Sequence, residues 1–110
     1  MRKDTGNFIK SASYDLDTAA YMLTAGRYLY VVFMCHLSIE KMLKAVAAEV
    51  AGKTPPKTHN LLYLTKLAGV DFSRDHFEFI SKVNNASVVT RYPEDFSELA
   101  ASFPEGVVSA

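Results

Sequence analysis

A chain of 110 residues, 49% apolar and 22% charged, has the balance of one ordinary globular domain with a single modest core. Twelve basic residues offset twelve acidic ones, which argues against a general grip on nucleic-acid backbones, because that grip depends on clustered positive charge. No apolar run approaches the roughly 18 residues of a membrane span, and the single cysteine, Cys35, excludes an internal disulfide.

Residues 1–16, MRKDTGNFIKSASYDL, lack the apolar stretch of a secretory signal, so the expected location is the cytoplasm. A first helix is predicted from a cap at Asp4 or Thr5 to about Ala25. Ala12, Leu16, Ala19 and Leu23 step by four and three along one narrow stripe whose small residues allow a neighbouring helix to come close. Gly26 suits the position just past a helix end. Tyr14, Tyr21 and Tyr28 step by seven and mark a candidate interface.

The second helix is predicted from about Tyr28 to Ala51. Its apolar residues, from Val31 and Val32 through Leu37, Ile39, Met42 and Leu43 to Val46 and Val50, cover well over half the circumference. One stripe suffices to pack on the first helix, and the surplus predicts a further partner, here a homodimer. Ionisable groups on such a helix must pair or act. Cys35 lies on it and reads as an inert buried thiol.

Gly52 and the stiff turn Lys53-Thr54-Pro55-Pro56-Lys57 stop that helix. Thr58 is the predicted cap of a third helix, carrying Leu61, Leu62, Leu64 and Leu67 and ending at Gly69. Ser73 is the predicted cap of a fourth. Phe72 and Phe77 have the spacing of a hydrophobic staple, and Phe77, Ile80, Val83 and Asn84 form its inner face. The β-branched run near Val88-Val89-Thr90 predicts fraying or a bend. Pro93 then restarts a short helix that ends near Phe103-Pro104. Four or five helices with short connections predict an all-α, up-and-down bundle in one domain.

In order, ASYDLDTAAYML, AGRY, VVFMCHLSIEKMLKAV, GKTPPKTHNLLYL and TRYPEDF resemble the HEPN family. These are small helical proteins, some of them called nucleotidyltransferase substrate-binding subunits. The resemblance covers residues 8 to about 98 and rests on EK-x-LK, PPKTHNLL and RYP occurring in that order. It implies a four- or five-helix homodimeric bundle that partners a small nucleotidyltransferase encoded nearby, in many cases as a toxin–antitoxin pair. Ribonuclease members of the wider family carry an Arg followed four to six residues later by a His. Here Arg91 is followed by Tyr-Pro-Glu-Asp-Phe-Ser and Arg74 has His76 only two residues on, so the ribonuclease site does not carry over. Leu37 replaces a common Gln. The family's long last helix after RYP does not fit before Ala110, so the chain is a short member or lacks that helix.

Four residues form the candidate ligand groove: Glu40, Lys44, His59 and Arg91. His36, Glu40 and Lys44 recur every four residues along one side of the second helix. They read either as a charge ladder or as a polar seam able to hold phosphate or base edges, and the family pattern favours Glu40 and Lys44 over His36. His59, placed at the first helical position after Thr58, reads either as a packing residue or as an imidazole beside free helix amides, a natural anion site helped by Lys57. Arg91 either anchors a carboxylate such as Glu40 or enters the same groove. No H-x3-H or C-x2-C pair suggests a metal, and no Ser or Cys has a base placed beside it by sequence. No cofactor is expected. A nucleotide-binding, non-catalytic subunit, a metal-independent ribonuclease using Arg91 and His59, and a dimerisation module without ligand are the three functions these residues leave open.

Overall fold

The structure is a computed structural model, and it describes residues 1–89. Those residues form four helices and no strand: α1 (Lys3–Thr24), α2 (Tyr28–Ala51), α3 (Leu61–Ala68) and α4 (Arg74–Val89). Arg91, Pro93 and the predicted last helix lie outside the described residues.

The hairpin of α1 and α2 is antiparallel, tied at three levels. Ser38 Oγ donates to the Ala12 carbonyl at 2.9 Å. One turn away, Lys41 Nζ reaches Asp15 Oδ2 and Ser11 Oγ, each at 2.7 Å. At the open end the Arg2 amide donates to Glu49 Oε1 at 2.7 Å and its guanidinium to the Gly52 carbonyl at 2.6 Å. This last tie explains why α1 starts at Lys3 rather than at an Asp4 or Thr5 cap. Arg2 is the N-cap and makes no side-chain cap bond, and Asp4 sits in the first turn, where its charge favours the helix dipole.

The small-residue stripe of α1 is real but differs in membership. Ala12 and Ala19 are buried, whereas Leu16 is exposed and Asp15 takes the inward position. Successive helical residues lie about 100° apart, so Asp15 and Leu16 cannot both face α2. The ion pair with Lys41 makes the carboxylate tolerable inside.

α2 has the predicted bounds. Gly52 closes it at φ 67°, a left-handed conformation that penalises any side chain with a Cβ, and donates its amide to Ala48 O. The main core forms where α2 meets α3 and α4: Leu43, Ala47, Leu61, Leu64, Ala68, Ile80 and Val83 are buried together, with Ile39, Leu62, Val70 and Phe72 packed at the edge. Some apolar surface stays uncovered. Met42, Val46 and Val50 are exposed and continue the line of Ile39 along α2. Ile39, Met42 and Val46 also line a shallow apolar hollow with Val70 and Phe72.

α3 begins later than predicted. Asn60, not Thr58, is the N-cap, its Oδ1 accepting from the amides of Leu62 and Tyr63 at 3.0 and 3.2 Å. Thr58 Oγ1 instead accepts from the Asn60 amide, closing a local turn two residues upstream. In α4 the Ser73 hydroxyl accepts from the His76 amide at 3.3 Å, as a cap would. Ile80 and Val83 face inward, but Phe77 is exposed and does not belong to the inner face. The β-branched run does not interrupt α4 before Val89.

Candidate functional site

Glu40 organises the polar cluster. It lies mid-way along α2 and is 4% exposed. Its two carboxylate oxygens face different partners. Oε2 accepts from Lys44 Nζ at 3.3 Å, one helical turn on. Oε1 accepts from His59 Nδ1–H at 2.8 Å, across the α2–α3 loop. His36, one turn earlier on α2 and 0% exposed, has its Nδ1 4.0 Å from the same Oε1. Its Nε2–H donates to the His59 carbonyl at 3.1 Å.

These bonds fix the protons on the rings. A carboxylate and a carbonyl can only accept, so His59 carries hydrogen on Nδ1 and His36 carries it on Nε2. His59 is therefore held from both its main chain and its side chain by residues of α2. The His59 side chain is nevertheless 58% exposed, against 5% for Glu40. The outcome is an imidazole largely at the surface, oriented by a buried carboxylate through Nδ1, which leaves Nε2 outside that bond.

The loop achieves this because it is stiff and anchored. Pro55 is buried, and prolines at 55 and 56 restrict the backbone. Beyond it, Asn84 of α4 accepts from the Leu61 amide at 2.9 Å. With Asn60 taking the next two amides, the first N–H groups of α3 are already bonded. The expectation of free helix amides beside His59 is thus corrected: His59 precedes the cap, and the helix start offers no open anion cradle.

Of the four candidate residues, the structure brings three together. Glu40, Lys44 and His59 form one bonded chain, in which Glu40 and Lys44 are buried and only His59 is largely exposed. Arg91 lies outside the described residues. His36, given little weight on sequence, is integral because it holds the His59 main chain; its i, i+4 spacing from Glu40 was the available signal. Asn60 and Asn84 set the loop and the helix start; in sequence the first shows only as part of the Thr-His-Asn helix start and the second only as a polar residue on the inner face of α4. Cys35 is only partly buried, and burial raises its thiol above the ordinary range, so it is a poor nucleophile. No group of three or more metal-ligating side chains occurs among the described residues, and none of their helices is long and apolar enough to cross a membrane.

In comparison with known proteins, a family model described as HEPN domain aligns with residues 6–106. No curated protein and no solved structure matches the chain.

Proposed function

The chain belongs to the HEPN domain family, and from that premise we propose that it is a non-catalytic binding subunit of a small nucleotidyltransferase, with a nucleotide as the ligand of its polar cluster. The observation that carries this reading is the 2.8 Å bond from the exposed His59 ring to the buried Glu40. Burying a carboxylate and an ammonium costs several kcal/mol each unless geometry and hydrogen bonds repay it. A purely structural loop has cheaper ways to pack, whereas a ring held in one orientation suits recognition.

The pair with the nucleotidyltransferase acts as toxin and antitoxin in this proposal. The subunit is a homodimer, formed through the exposed apolar line Met42, Val46 and Val50 of α2. A ribonuclease reading lacks comparable support, because no arginine of the chain has a histidine four to six residues downstream.

Two experiments test the proposal. Co-expression with the product of the adjacent reading frame should give a complex that survives gel filtration. A nucleotide panel should raise the melting temperature, since ligand at 100 times Kd adds about 2.7 kcal/mol. No complex and no shift at millimolar nucleotide would remove both parts.

A further inference from the structure

The four members of the polar cluster are not equivalent towards a ligand. Lys44 already neutralises Glu40 at 3.3 Å, and both are buried. His36 spends Nε2 on the His59 carbonyl and is fully enclosed. None of the three has a side chain able to reach solvent without breaking the cluster. His59 alone does. Because the Glu40 charge is already balanced by Lys44, a protonated His59 leaves the cluster with one net positive charge, placed at the surface. The segment that carries it, Lys53-Thr54-Pro55-Pro56-Lys57-Thr58-His59-Asn60, contains two lysines and no acidic residue, and Lys53 and Lys57 are exposed.

We infer that His59 is the one residue of this cluster that touches ligand, donating from Nε2–H to a phosphate group of a nucleotide with Lys57 beside it, and that Glu40, Lys44 and His36 are positioning residues that act only through it. The inference rests on the nucleotide-binding reading and sharpens it. Nδ1–H is committed to Glu40, so the neutral ring presents a lone pair at Nε2 and repels phosphate oxygen. The protonated ring presents a second N–H there, on a mostly exposed side chain whose other nitrogen is held by Glu40. A charge-assisted N–H to phosphate is among the stronger polar contacts a surface can make.

The test is a titration of the intact protein at pH 6 with AMP, inorganic phosphate and adenosine, followed by nitrogen-15 and proton NMR of the His59 ring. AMP and phosphate should each move the His59 Nε2 and Cε1–H resonances to saturation, AMP more tightly, and adenosine should not. His59→Ala should weaken AMP binding by about tenfold or more, the scale of one hydrogen bond to a charged group. Glu40→Leu combined with Lys44→Met removes the charge pair together, and with it the acceptor for His59. It should weaken AMP to a similar degree while the His59 ring loses its fixed Nδ1–H signature, a change that mere structural damage would not single out. If that double variant does not fold, His59→Ala decides alone, since its side chain is mostly in solvent. AMP binding unchanged in His59→Ala would overturn the inference while nucleotide binding stands. An absence of AMP binding in the wild type would overturn both.

Discussion

His59 Nδ1 and Glu40 Oε1 are 2.8 Å apart although one side chain is 58% exposed and the other 5%. The bond couples the α2–α3 loop to the interior of α2, so the loop's orientation depends on a charge that solvent does not reach. Substitutions at Glu40 should therefore register in the loop as well as in stability.

Glu40→Ala removes one partner of a buried pair and strands the Lys44 ammonium, so it should destabilise the fold by about 3–5 kcal/mol. Lys44→Met added to Glu40→Ala removes the stranded charge and should recover much of that loss. Urea unfolding of the single and double variants measures both. Equal destabilisation in the two would mean that the pair is not desolvated as the structure has it.

Asn60→Ala should cost about 1 kcal/mol, the usual size of a lost N-cap, because the Leu62 and Tyr63 amides lose their shared acceptor. Thr58→Ala removes only a turn bond outside the helix and should cost less. The reverse order in thermal unfolding would restore Thr58 as the cap.

The difference between those two positions illustrates how far the sequence could be read. Thr, His and Asn after a Pro-Pro turn all announce a helix start. Which side chain closes it depends on where the loop is pinned, and the pins are long-range: Pro55 is buried and Asn84 arrives from α4. The bounds of α2 were legible because Tyr28 follows a glycine turn and Gly52 takes the left-handed conformation locally. The burial of Asp15 in place of Leu16 was not, since it requires Lys41 from the next helix. In the candidate site, the Glu40–Lys44 spacing was visible as helix geometry. The link to His59 is a loop closure that no local pattern encodes.

Acid should loosen the open end of the hairpin. Asp4 is held below the usual carboxylate range by its hydrogen bond from Arg2, and Glu49 by the Arg2 backbone amide. Groups whose folded values are depressed contribute stability above their unfolded values, near pH 4, and lose it as pH falls through the folded ones. The melting temperature should thus drop below about pH 4, and Arg2→Ala should flatten the part due to Asp4 while keeping the amide bond to Glu49. An acid limb of the same steepness in Arg2→Ala would contradict this assignment.

Met42→Glu places a charge on the uncovered line of α2 without entering the core, because Met42 is 43% exposed. In the proposed homodimer it should yield a folded monomer by sedimentation, with helical content preserved. A wild type that is already monomeric at micromolar concentration would remove the dimer.

The orientation of His59 is the point on which the site depends, and its tautomer reports it directly. Long-range nitrogen–proton correlation spectra at neutral pH should show the proton on Nδ1, opposite to the form that free histidine prefers. Replacing Glu40 should relax that preference. A His59 ring with its proton on Nε2, unaffected by Glu40 substitution, would mean that the imidazole is not held and that the cluster presents nothing to a ligand.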